Sequence, residues 1–250
     1  KHLQRAMTEC LTNPLHPESH ILKFSVIRVP FFLEGDYPEH LSHVETNRQR
    51  LIKKWGGEIG WERQKRSHDL KGRGRKAGIP HFNLDRLTSN TMASHRLIQH
   101  VGKRYGLGVS EALYDVLNVY YFVDGHALND RPRLAKVSSE ALTRAMTKDG
   151  SNKSNNPIMT EEEILKFLEG SEGRKEINKA RDMLHQLGIH SIPQFIIEGN
   201  TLVNGAAEWD TFVECFRAIE ERGKVAGGPI FADILGIEKE LIMEGSHSLD

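Results

Sequence analysis

Cysteine is nearly absent: the 250 residues hold two, Cys10 and Cys215. They form no Cys-x-x-Cys pair and no metal-ligand spacing, which excludes a disulfide scaffold and a zinc module. Aromatic residues are sparse at 7%, and no apolar run approaches the ~18–20 residues that a membrane helix needs. Net charge is absent too, with 34 Lys+Arg against 34 Asp+Glu. A balanced chain is neither a uniformly basic nucleic-acid binder nor an acidic solvating tail. The opening Lys1-His2-Leu3-Gln4-Arg5 lacks the apolar core of a secretory signal. The 13 histidines are scattered, with no His-Glu-x-x-His and no Cys-His cluster, so no metal is expected. Together these absences point to a cytoplasmic protein without a membrane partner.

What is present is mostly helical periodicity. Leu3, Ala6, Met7 and Cys10 fall on one face of a helix over Lys1–Leu11. No capping residue precedes that helix, so the chain is expected to start in mid-helix, with a segment upstream. Asn13-Pro14 and His16-Pro17 break it. Ile21–Val29, β-branched and aromatic and bounded by Pro30, predicts a strand. A turn at Glu34–Pro38 leads to a helix from about His40 to Trp55. Residues 56–78, with six glycines, are expected to be irregular. From Arg48 to Lys76 eleven Lys/Arg meet three acids, with Trp55 and Trp61 among them. This reads either as a solvated insertion or as a basic surface for a polyanion. Without a specific motif the first reading is taken, and nucleic acid is not an expected partner.

Further helices are predicted over Asn90–Tyr105, from a Ser110 cap to Asp124-Gly125, and over Leu134–Met146. Lys148–Pro157 predicts a disordered polar loop. Thr160 and Glu163 make a capping box for a helix to Leu168. Arg174–Leu187 follows, with Gly188 in the C′ position. Gln194–Glu198 and Thr201–Asn204 predict a hairpin with a two-residue Gly199-Asn200 turn of type II′. A helix over Ala207–Arg222 and a tail with an amphipathic stretch at Ile234–Ile242 complete the chain.

The order is helix, strand, helical block, hairpin, helix. One strand ahead of Lys1 would complete a βαβ–insertion–ββα arrangement, an α/β thioredoxin fold with a large all-helical insertion. The expected domains are 1–38 with 188–222 for the thioredoxin-like part, 39–187 for the insertion and 223–250 for the tail. Pro193 by itself reads as an ordinary trans residue opening a strand.

Gly188-Ile189-His190-Ser191-Ile192-Pro193-Gln194-Phe195-Ile196-Ile197 resembles the G-V-x-G-V-P-x-F-V-I run of the DsbA-like thioredoxin family. Asn204-Gly205-Ala206 resembles the S-G-A-Q that follows it. Asn90-Thr91-Met92-Ala93-Ser94-His95-Arg96-Leu97 is similar to the N-T-x-x-A-H-R-L helix start of the FrnE-like branch, with Ser94 for Ala. Ala77-Gly78-Ile79, Tyr121–Gly125 and Val29–Leu33 add weaker, collinear matches. The resemblance implies a thiol–disulfide oxidoreductase. It implies a cis Ile192–Pro193 bond facing the N-terminus of the first helix, with the Ile192 backbone aligning the substrate beside Pro193.

The family's Cys-x-x-Cys lies on the turn before that helix, ahead of Lys1, where the helix N-terminus stabilises a thiolate. The chain as written lacks that nucleophile. Cys10, two turns into its helix, does not replace it; Cys10 and Cys215 are expected to be packed structural thiols. Asn90 and His95 are substrate-binding candidates by resemblance, with a helix cap and a structural histidine as the plainer readings. The implied partner is a thiol or disulfide substrate, protein or glutathione, and a homodimer is compatible with it. No resident cofactor is implied. Glutathione enters as co-substrate if the chain follows the kappa-class transferase and 2-hydroxychromene-2-carboxylate isomerase relatives. A non-catalytic binding protein using segment 48–76 is the alternative outside enzymes.

Overall fold

The computed structural model describes residues 1–18, 21–33, 35–40, 45–76, 79, 81–148 and 158–246. The chain is mixed α/β and mostly helical. In chain order the elements are α1 (His2–Thr12), α2 (Asn47–Lys54), α3 (Glu58–His68), α4 (Leu70–Lys76), α5 (Met92–Tyr105), α6 (Leu107–Phe122) and α7 (Arg131–Lys148). They continue with α8 (Glu161–Glu169), α9 (Arg174–Gln186), β1 (Gln194–Ile197), β2 (Thr201–Asn204), α10 (Trp209–Arg222), α11 (Ala232–Leu235) and α12 (Lys239–Glu244). Among the described residues no helix is long and apolar enough to cross a membrane.

Two compact units divide the chain, with borders at 31/32 and 172/173 and, inside α5 and α6, at 100/101 and 108/109. Unit 1 comprises 1–31, 101–108 and 173–250; unit 2 comprises 32–100 and 109–172. Both α9 and the tail thus belong to unit 1.

Unit 1 is layered. Phe195 and Ile197 of β1, Val203 of β2, and Leu22, Phe24 and Val26 pack into one core with Met7 and Cys10 of α1 and Phe212 and Phe216 of α10. Ile196 of β1, with Ile27, Val29 and Phe31, packs into a second core with Ala180 and Leu184 of α9 and Leu235 of α11. Side chains of extended backbone alternate between faces. Even positions from 22 to 26 take one face and odd positions from 27 to 31 the other, so segment 21–31 has the pleat of a strand buried on both sides. It is not the strand expected there: it has one bridge position, at Phe24, and no ladder among the described residues. Two of its backbone bonds go to the tail. Ser246 N donates to Phe24 O at 2.7 Å, and Val26 N donates to Ser246 Oγ at 2.9 Å. Strand propensity marks a chain that fits a pleated surface, and a ladder needs a neighbour beside it.

Helices α1 and α10 lie side by side and parallel. His2 Nδ1 is 3.1 Å from Glu208 Oε2, and the Arg5 guanidinium sits 3.9 Å above the Trp209 ring. At the far end Arg217 donates to Asn13 O at 2.7 Å, and Leu15 N donates to Glu220 Oε1 at 2.7 Å. Glu220 is buried but carries the Arg217 ion pair at 2.5 Å, which compensates its desolvation.

Several local expectations are corrected. The hairpin pairs Ile197 with Thr201, so its loop has three residues, Glu198, Gly199 and Asn200. Glu198 takes φ +46°, and its carboxylate accepts from Arg222 at the end of α10 at 2.6 Å and from Ala226 N of the tail at 2.7 Å. Residues 56–78 are not irregular: α3 and α4 occupy most of them, while 77–78 lie outside the described residues. Ser110 does not cap α6 but is buried within it, because Gly106 at φ +95° ends α5 early enough for α6 to begin at Leu107. The helix expected from His40 starts at Asn47, behind a Thr46/Gln49 capping box that the reading passed over; 41–44 lie outside the described residues. Gly236 at φ +68° splits the amphipathic tail stretch into α11 and α12. The polar loop expected to be disordered falls, from 149 to 157, outside the described residues. The Thr160 capping box and Gly188 at φ +69° after α9 are present as expected.

The hairpin loop and the Gly227-Gly228-Pro229 turn touch backbone to backbone. A Cβ on Gly199 would lie 2.1 Å from Gly228 O, whereas one on Gly188 would meet nothing within 4 Å. Both glycines have positive φ, so alanine strains each, by about 1 kcal/mol, and Gly199→Ala adds an overpacking cost of about 1–3 kcal/mol. Urea unfolding should therefore rank Gly199→Ala as clearly more destabilising than Gly188→Ala. Equal costs would contradict the packed loop.

Candidate functional site

The candidate site is built from the ends of two elements of unit 1. After α9, Gly188 turns the chain, Ile189 anchors it in the second core, and His190-Ser191-Ile192 runs exposed into β1. The Ile192–Pro193 bond is cis, as the resemblance implied and as local sequence reading did not. Ile192 is 49% exposed although it is apolar. Pro193 O accepts from Gly205 N at 3.0 Å, which ties the start of β1 to the end of β2, and Gln194 Nε2 donates to Ser191 Oγ at 3.4 Å.

The second component is the N-terminal turn of α1. Gly205 is three residues before Glu208, and Glu208 touches His2. Three residues of chain span at most about 11 Å. The start of α1 and the Ile192–Pro193 loop therefore lie at the same end of unit 1. The first turn of α1 has no acidic residue and no side-chain cap, and it carries Lys1, His2 and Arg5. With the helix dipole, the Lys1 and Arg5 charges favour an anion at that end, offset in part by the Glu208 carboxylate beside His2.

The two thiols are elsewhere. Cys10 is 1% exposed in the core between α1 and α10. Burial raises its thiol above the ordinary value near 9, against an opposing pull from Arg217. Cys215, on α10, is raised for the same first reason. Both are held as thiols at neutral pH and are poor nucleophiles.

Asn90 and His95 belong to unit 2. Asn90 is buried, and both ends of its amide are engaged: Oδ1 accepts from Met92 N at 2.8 Å, and Nδ2 donates to Tyr37 O at 2.8 Å. It thus satisfies the first N–H of α5, close to the capping role read from sequence. His95 is half-buried, its ring edge-on to Phe32 at 5.1 Å between centroids.

Their neighbour Arg96 was passed over, yet it is 1% exposed. Its guanidinium donates to Glu172 O at 2.6 Å, Leu168 O at 3.2 Å and Phe167 O at 2.9 Å. It caps the C-terminal end of α8, where a cation offsets the helix dipole. Bonds to a charged group contribute roughly 1.5–3 kcal/mol each, which is how a buried arginine is retained. The available signal was position: Arg96 is four residues from Met92, on the buried side of α5.

Among the described residues no group of three or more His, Cys, Asp or Glu side chains is arranged to hold a metal ion. No protein-family model matches the chain, and no curated protein matches it.

The raised thiols carry a pH consequence. A thiol whose folded pKa exceeds its unfolded value keeps its proton in the fold where the open chain would release it. The stability this contributes is complete below pH ~9 and lost as pH rises through the folded value. At pH 8 a thiol-specific disulfide reagent should label native Cys10 and Cys215 more slowly than the urea-unfolded chain, with Cys10 the slower. Native labelling faster than unfolded labelling would contradict burial as the governing effect.

Proposed function

We propose that this protein is a thiol–disulfide oxidoreductase with a thioredoxin-like unit 1, of the DsbA-like kind its sequence resembles. One observation carries the reading: the positively charged first turn of α1 and the Ile192–Pro193 loop occupy the same end of unit 1. Support also comes from the layered arrangement, with α1 and α10 on one side of the pleated segments and α9 and α11 on the other.

The 250 residues hold no Cys-x-x-Cys, and Cys10, buried, and Cys215, half-buried, are both held as thiols, so the reading assigns the nucleophile to the turn preceding α1. There a cysteine thiolate, stabilised by the free N–H groups and the charges of the first turn, attacks a substrate disulfide. One S–S bond breaks, a mixed disulfide forms, and one substrate sulfur leaves as thiolate. The second cysteine of the pair then attacks the mixed disulfide. The substrate departs as dithiol, and the protein pair is left oxidised. In this reading Ile192, exposed ahead of β1, offers the substrate chain main-chain hydrogen bonds. Asn90 keeps the role of helix cap in this account.

The test compares the 250-residue chain with a longer form that includes the turn ahead of α1. In insulin reduction the longer form should turn over, and serine in place of its first cysteine should abolish turnover. The 250-residue chain should be inactive. Turnover by the 250-residue chain would overturn the assignment. An inactive longer form retained on glutathione-agarose would overturn it in favour of glutathione transfer.

A further inference from the structure

Charge in this neutral chain is segregated. The eleven bases and three acids of Arg48–Lys76 leave 23 bases (34 less 11) and 31 acids (34 less 3) for everything else. The sequence alone allowed these bases to be a loose, solvated insertion. Instead α2, α3 and α4 give them fixed positions.

On α3, Trp61 is 3% exposed and stacks on Trp55 at 5.5 Å, and Trp55 stacks on His68 at 6.1 Å. The helical period then sets Ile59, Arg63 and Arg66 on the opposite, exposed side. On α4 it is Gly74 that faces inward, since a Cβ there would lie 2.6 Å from the Phe82 ring and 2.8 Å from Ile79 O. Arg73, Arg75 and Lys76 are exposed around it.

Three of the nearby acids are already used. Asp85 takes Arg48 through two bonds of 2.6 and 2.9 Å, Glu45 takes Lys53 at 2.6 Å, and Glu62 takes Lys65 at 3.3 Å. Lys54, Arg63, Arg73, Arg75 and Lys76 make no ion pair among the described residues.

We propose that the outer surface of α2–α4 binds the phosphate backbone of nucleic acid without sequence preference, independently of the redox reading. Charge complementarity selects a polyanion. Arginine predominates among the outward bases of α3 and α4, and its planar fork fits phosphate oxygens in pairs. A helix that lies on a membrane needs a broad apolar face. Here the tryptophans turn inward, and Ile59, 81% exposed, is the one large apolar side chain exposed on α3. With about five phosphates contacted, affinity for a duplex should fall on the order of 500-fold between about 50 and 200 mM salt.

The test is fluorescence anisotropy with a short labelled DNA duplex and a single-stranded RNA, at both salt concentrations. The surface predicts binding of both at low salt with that steep loss. The variant R63E/R73E/R75E should weaken low-salt binding at least tenfold. R63Q/R73Q/R75Q, which removes charge without adding repulsion, should flatten the salt dependence by about three contacts. K136E/K179E/K239E, an equal charge change on exposed lysines elsewhere, should bind as the parent does. No binding at low salt would overturn the proposal. So would equal losses in the control variant, or preference for phosphatidylserine vesicles over nucleic acid.

Discussion

Apolar side chains that alternate along Leu22–Phe31 and Phe195–Ile197 must be covered on both sides, and most of unit 1 follows from that requirement. One set is buried by α1 and α10, the other by α9 and α11. Covering a single layer from one side makes α1 and α10 neighbours, and they run parallel, matched at their starts by His2–Glu208 and near their ends by Arg217–Asn13. Burying an apolar side chain of this size contributes roughly 1.5–3 kcal/mol, so the two faces outweigh any single polar contact between them. The position of the candidate site is a consequence: parallel helices over a hairpin bring the α1 start to the end where β1 begins.

Much of this was legible in the sequence, for identifiable reasons. The 3.6-residue stripe placed α1, α9 and α10 within a few residues, and Thr160/Glu163 and Gly188 marked real helix ends. What was not legible depended on partners far along the chain. The hairpin loop has three residues, with Glu198 among them held by Arg222 and Ala226, and no turn preference anticipates a carboxylate bound 28 residues away. Segment 21–31 has strand composition, but a ladder depends on a neighbour that composition does not reveal. In α3 and α4, glycines read as breakers. Gly74 is instead where Phe82 packs against the helix, a close approach that only glycine allows.

The candidate site was legible in a different sense. Residues Ile192 and Pro193 stood out through a resemblance, while local reading made Pro193 an unremarkable strand starter. Asn90 was recognisable as a helix-start residue, and its two engaged amide groups agree with that chemistry. Arg96 was the larger omission. A buried arginine in an apolar stripe is expensive unless every donor is satisfied, and backbone carbonyls from α8 and the residues after it supply partners that the sequence does not bring near. The two cysteines drew attention as candidate redox groups, but Cys10 lies in the core and Cys215, half-buried, packs against it.

The account depends most on the α1 start and the Ile192–Pro193 loop sharing one end of unit 1. A spin label placed by His2→Cys, in a chain with Cys10 and Cys215 changed to alanine, tests this by paramagnetic broadening of backbone amide signals in NMR. The account predicts strong broadening at Ser191, Ile192 and Gly205, and none at Ala226 in the tail that clasps the far hairpin loop. Sharp signals at Ser191 and Ile192 beside the labelled helix start would contradict it.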